Sequence, residues 1–146
     1  MKFRGRVLVA GEGGGRPLVL SEPLSLWGGL DPHTGEIIDR RHPQSGQNVA
    51  GRVLIMPSGR GSSSASNILL QAVKEGRAPA AILLAEADPI LALGAVVARE
   101  LYRRAPPVVV LRPQDYRALC RLARQQPAVI RVAAEGNVSI DNGIQP

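Results

Sequence analysis

The sequence predicts an α/β domain with a β-rich first third followed by a βαβαβ arrangement. Short runs of Val, Leu and Ile recur along the chain, broken by Gly and Pro, as strands are. From Val53 onward these runs alternate with segments of helical periodicity, the pattern of parallel strands joined by helices. Hydrophobic residues make up 45% of the 146 positions and aromatics only 3%, so aliphatic side chains must fill the core. A chain of this length buries enough surface to fold as one domain, over 1–146, without staples.

Taken in order, residues 1–6 enter a strand-like segment and 6–10 form the first strand. The glycine run Gly11-Glu12-Gly13-Gly14-Gly15 reads as a hairpin turn into a second short strand over 17–20. Residues 21–51 hold no periodic pattern. They carry the single tryptophan, Trp27, and both histidines, which points to a structured, exposed functional loop. Asp31, His33 and His42 match no standard metal-ligand spacing. With Pro32 and Pro43 beside them they read as turn and rim residues.

Residues 53–56 are a buried strand, and a helix runs from Asn67 to a stop at Gly76, with Ser62, Ser63 and Ser64 as its N-cap candidates. Strands follow over 80–84 and 107–111, helices over 90–99 and from Pro113 to about Arg124, and closing strands over 129–132 and 138–140. Residues 142–146 read as a frayed end. Cys120 recurs with Tyr116, Leu119 and Ala123 on one helical face, which makes it a core residue and not a nucleophile.

Composition narrows the functional classes. The net charge is +6, carried mostly by arginine, which suits anionic substrates or an acidic partner. Phe3, Trp27, Tyr102 and Tyr116 are too few to build base-stacking platforms, so nucleic acid is not expected as a partner. One cysteine excludes a disulfide framework, and excludes a cysteine-held zinc or iron–sulfur site within this chain alone. No apolar run approaches the length of a membrane span and no signal-peptide core is present, so a soluble, cytoplasmic protein is expected.

The candidate site is Pro57-Ser58-Gly59-Arg60-Gly61-Ser62-Ser63-Ser64-Ala65-Ser66, between the strand over 53–56 and the helix that follows. A strand, a glycine-rich turn and a helix start leave unpaired N–H groups pointing outward, in a field that favours negative charge. Arg60 adds a permanent positive charge on a planar fork. The loop departs from named motifs. It lacks the lysine of a P-loop, has Ser64 where a dinucleotide fingerprint needs Gly or Ala, and follows both histidines where a nucleophile elbow precedes its own. A tight turn with a helix cap would use the same residues, but a cap needs one such group. The expectation is that Arg60, Gly61, Ser63 and Ser64 hold an anionic substrate and that Ser62 takes part in the chemistry.

Several stretches, in order, resemble the small, swivelling subunit of the aconitase X family. They are Ser25-Leu26-Trp27-Gly28-Gly29-Leu30-Asp31-Pro32, Thr34-Gly35-Glu36-Ile37-Ile38-Asp39, His42-Pro43 with Gly46, and Pro57-Ser58-Gly59-Arg60-Gly61-Ser62-Ser63. Gly76-Arg77-Ala78-Pro79-Ala80-Ala81-Ile82 and Gly94-Ala95 with Pro106-Pro107-Val108 extend the likeness over nearly the whole chain. The resemblance implies a single β/β/α swivel domain that dehydrates a small hydroxy acid together with a large subunit. It implies a 4Fe-4S cluster held by that subunit, and a serine base in Gly-Arg-Gly-Ser, which falls on Ser62. In the archaeal two-subunit form the substrate is 5-phosphomevalonate, in the modified mevalonate pathway. Bacterial relatives, often fused, act on cis-3-hydroxy-L-proline. A free-standing small part favours the first. Arg60 either steadies the Ser62 alkoxide or holds the substrate. Trp27, Gly28 and Gly29 are expected at the substrate rim or a subunit interface. The reading from another class is a non-enzymatic module that binds an anion.

Overall fold

The computed structural model describes residues 1–60, 63–125 and 128–141. Two sheets share the work of the core. The larger has five strands in the order β2 (Arg6–Val9), β7 (Val108–Val110), β6 (Ala81–Leu84), β5 (Val53–Met56) and β4 (Pro17–Val19). β4 through β7 run parallel, and β2 lies antiparallel on β7 with a register shift between Val7 and Val9. β5 and β6 are buried at every residue, which is why they read as unbroken aliphatic runs.

The two-residue period of the strands divides the core. Leu54, Met56, Ile82, Leu84 and Val108 face one layer, with Leu69, Leu91 and Ala95 from α2 (Ala65–Lys74) and α3 (Pro89–Tyr102). Val53, Ile55, Ala81, Leu83 and Val109 face the other, with Leu119 and Ala123 of α4 (Pro113–Ala123). That second layer also holds Ile130, Val132 and Val138 of a four-stranded antiparallel sheet. Its order is β1 (Lys2–Arg4), β9 (Asn137–Asp141), β8 (Val129–Val132) and β3 (Gly13–Gly15). The chain steps from β5 to β6 to β7 in one direction across the sheet, so crossovers of one hand set α2 and α3 on the same face. The result is the β/β/α layering that the resemblance implies.

Two sequence expectations change. The glycine run is not a hairpin turn. Gly13–Gly15 is itself a strand paired with β8, while β2 and β4 stand in a different sheet, at its opposite edges. The reason is close approach: a Cβ on Gly13 would collide with the Ala80 carbonyl oxygen, and one on Gly15 would sit 2.6 Å from that of Gly51. Only bare backbone passes between the sheets there. The helix expected over 90–99 is longer, Pro89–Tyr102, and ends where Arg103 turns left-handed at φ 61°. Gly76 ends α2 as expected, at φ +73°. The segment 142–146, expected to fray, lies outside the described residues.

Cys120 is buried, as its helical face predicts. Burial pushes its thiol up, against smaller opposing effects of the Tyr116 hydrogen bond and Arg124. Burial, with Cys120 beside it, likewise pushes the Tyr116 hydroxyl far up. The folded chain therefore keeps two protons that the unfolded chain releases at alkaline pH. By linkage, stability falls as pH rises through the ordinary thiol and phenol values, about 8.5 and 10. Urea midpoints measured from pH 7 to 10.5 should decline, less steeply for Tyr116→Phe. A flat profile would contradict the burial.

Candidate active site

The loops at the carboxyl ends of the parallel strands meet at one edge of the sheet, where open α/β folds carry their ligands. Leu20 N donates to Ile55 O at 2.8 Å and continues β4 past its end. Leu24 then bridges in parallel to Gly59, and Arg60 N donates to Leu24 O at 3.2 Å. From the other side, Ala85 and Glu86 N–H groups both donate to Pro57 O at 3.0 Å. The loop after β5 is thus held between the loops after β4 and β6.

Asp88 completes that clamp. It is the N-cap of α3, accepting from Ile90 N at 3.0 Å and Leu91 N at 3.2 Å, with Pro89 at the first helical position. Its other carboxylate oxygen stands where a side chain on Gly59 would go. A side chain on Gly59 would have to push the Asp88 carboxylate aside, because the loop backbone passes directly over the α3 cap.

The Trp27 segment, Leu26–Gly29 (α1), is a single turn. Trp27 (φ −68°, ψ 118°) and Gly28 (φ 78°, ψ −12°) have type II turn angles, which need a glycine at the second position. The turn leaves Trp27 60% exposed. Ile38 N donates to Gly29 O at 2.8 Å and draws the following loop alongside. His42 fastens the rest. Its Nε2 lies 3.1 Å from Glu22 O, and Nδ1 accepts from Gln44 N at 3.0 Å, which makes Nε2 the protonated nitrogen. Both ring nitrogens are thus engaged in holding the loop.

These segments enclose an open cleft of about 540 Å³, lined by Glu22, Trp27, Asp39, Arg40, Arg41 and Arg60. Asp39 accepts from Arg41 N at 2.9 Å. None of the three guanidinium groups is paired with a carboxylate among the described residues. Three guanidinium groups against two carboxylates, Glu22 and Asp39, leave the lining with an excess of positive charge.

Of the residues singled out from the sequence, Trp27, Gly28, Gly29, His42 and Arg60 come together here. Gly61 and Ser62 lie outside the described residues. Ser63 is exposed, and its carbonyl accepts from Ser66 Oγ at 2.9 Å. Ser64 occupies the N-cap position of α2, in a helical conformation (φ −71°, ψ −13°). Neither lines the arginine cleft. Asp31 and His33 lie elsewhere. Asp31 Oδ1 accepts from His33 N at 2.9 Å, and His33 Nδ1 is 3.5 Å from Glu75 at the far end of α2. Among the described residues no three His, Cys, Asp or Glu side chains group as metal ligands, and no helix is long and apolar enough to cross a membrane. Sequence reasoning missed Arg40, Arg41 and Asp88. The pair Asp88-Pro89 carried a legible helix-start signal.

This arrangement defines a swivel domain of the aconitase type. The holo-form crystal structure of Thermococcus kodakaraensis aconitase X superposes with a TM-score of 0.80 at 32% identity, over 97% of this chain and 98% of that one. The chain belongs to the aconitase X swivel domain family, whose model matches residues 2–140. It is 54% identical, over 106 residues and 73% of its length, to a cis-3-hydroxy-L-proline dehydratase of Pseudomonas aeruginosa. It spans only 18% of that relative. It is 47% identical, over 64% of its length and 71% of the relative's, to the phosphomevalonate dehydratase small subunit of Methanothermobacter thermautotrophicus.

Proposed function

We propose that this chain, as one domain over 1–146, is the small subunit of a hydro-lyase. It works with a large subunit, and its loop after β5 supplies the proton acceptor. Ser62 takes the proton from the carbon beside the substrate carboxylate. The electrons of that C–H bond become the new C=C bond, and the hydroxyl on the neighbouring carbon departs with its bonding pair, taking up a proton from solvent to become water, while Ser62 afterwards gives its own proton back to solvent. A serine hydroxyl is a weak base, so its alkoxide needs N–H donors and positive potential nearby, and the start of α2, next in the chain, is the kind of element that offers both. The observation that carries the reading is that Arg60, on this loop, lines one cleft with Arg40 and Arg41.

The described residues supply no ligand set for an iron–sulfur cluster. In this proposal the 4Fe-4S cluster belongs to the large subunit, where it supplies a Lewis acid. We assign 5-phosphomevalonate as the substrate, in isoprenoid synthesis by the modified mevalonate pathway. Three arginines suit a molecule carrying both a carboxylate and a phosphate. The second reading is cis-3-hydroxy-L-proline, favoured by the 54% identity to that dehydratase and by Glu22 and Asp39, which suit a substrate ammonium. Product formation from each compound by the assembled enzyme decides between them.

Arg60→Met separates the two roles open to that residue. Loss of a substrate anchor raises KM about tenfold or more with kcat retained, whereas loss of alkoxide support lowers kcat at unchanged KM. We expect the first, because Arg60 shares the cleft with Arg40 and Arg41. Steady-state kinetics of the assembled enzyme make the measurement.

A further inference from the structure

The three long helices share one layered architecture but present different outer surfaces. The exposed residues of α2 are Asn67 and Lys74, and those of α4 are Pro113, Gln114, Arg117 and Arg121. On α3 they are Pro89, Leu93, Val96, Glu100 and Leu101, of which only Glu100 is charged. Leu93 is 56% exposed, Val96 46% and Leu101 61%. Positions 93, 96, 97 and 101 fall on one side of a helix, so these side chains and half-buried Val97 form a continuous stripe. A helix that is apolar on both its inner and outer faces is ordinarily covered on both.

We propose that this stripe is the surface on which the large subunit sits. The inference rests on the dehydratase reading above and specifies the face that the partner uses. Three observations identify the occupant. First, the stripe begins at the functional loop: Ile90, on the first turn of α3, lines a small hollow together with Arg60, Gly59 and Asp88. A body seated along α3 therefore also reaches over the loop and towards the arginine cleft, which Arg60 also lines. Second, in the Pseudomonas relative the matching stretch is 18% of the chain, and in that of Hypocrea jecorina 20%. Each carries a body several times larger joined to this domain. Third, a second copy is disfavoured, since each copy carries a net charge of +6. The stripe alone is smaller than a stable interface, so the contact extends across the loop to Trp27.

The test uses this chain with the large subunit from the same genome, recognised by similarity to the remaining four-fifths of the Pseudomonas protein. Association is measured for wild type, for Leu93→Lys/Val96→Lys/Leu101→Lys together, and for Asn67→Lys on α2 and Arg117→Glu on α4 as controls. All three apolar positions are exposed, and the amide NMR spectrum of the triple variant checks that it folds. The expected result is affinity lowered about a hundredfold or more in the triple variant and nearly unchanged in the controls. A triple variant that binds as wild type does would overturn the inference and leave the dehydratase reading standing. So would a chain that sediments alone as a dimer dissociated by the triple variant. Failure of the wild-type chain to bind the large subunit would overturn both.

Discussion

Ser62→Ala is expected to assemble with the large subunit, to leave the cluster absorbance of the complex intact, and to lose roughly 10²–10⁴-fold in turnover. The magnitude follows from the role. Removing a positioned base leaves substrate binding and charge stabilisation in place while the proton has no acceptor of matched strength. The loss should therefore fall on kcat, with KM little changed. Ser63 and Ser64 follow directly in sequence, one exposed and the other at the N-cap position of α2. Ser63→Ala is expected to cost far less, which separates a specific base from a general need for hydroxyls. Near-wild-type turnover in Ser62→Ala would remove that residue from the mechanism.

Gly59→Ala has the second largest expected effect, and its cause is steric. The new methyl group would occupy the position of an Asp88 carboxylate oxygen. The carboxylate must then turn, which strains the two cap bonds that its other oxygen accepts from Ile90 N and Leu91 N, or the loop on which Arg60 stands must move. The cap is worth about 1–2 kcal/mol, or a fall in melting temperature of several degrees in a chain of this size. Because that movement would carry Arg60 with it, turnover should fall by more than stability alone explains. Asp88→Ala loses the same cap but relieves the collision. The double variant should therefore be less destabilised than the sum of the singles, a coupling that a thermal-denaturation cycle reads directly. Strict additivity would show that the two residues do not meet.

From Val53 onward the fold was legible because each local signal agreed with the tertiary arrangement. Val53–Met56 and Ala81–Leu84 are buried on both faces and read as unbroken aliphatic runs, and Gly76 stops α2 where a left-handed residue is needed. The glycines at 13–15 misled because a glycine run signals a turn, whereas their real constraint is the carbonyl oxygens of Ala80 and Gly51, far away in sequence. The same holds at the site. Arg60 was visible from its loop, and the resemblance gave Ser62 its expected role. Arg40 and Arg41 reach the cleft only because His42 ties its turn to Glu22 and the Leu24–Gly59 bridge brings the loops together. No periodicity encodes that folding back. Asp31 and His33, conspicuous in sequence, make a local turn near the opposite end of α2.

The most direct test of the account is an anaerobic dehydration assay of the large subunit with its cluster intact. It is run alone, with this chain, and with the Ser62→Ala chain, each against 5-phosphomevalonate and cis-3-hydroxy-L-proline. An anhydro product is expected from one of them, 5-phosphomevalonate first, only when the wild-type chain is present. Equal turnover by the large subunit alone, or no product from either compound, would contradict it.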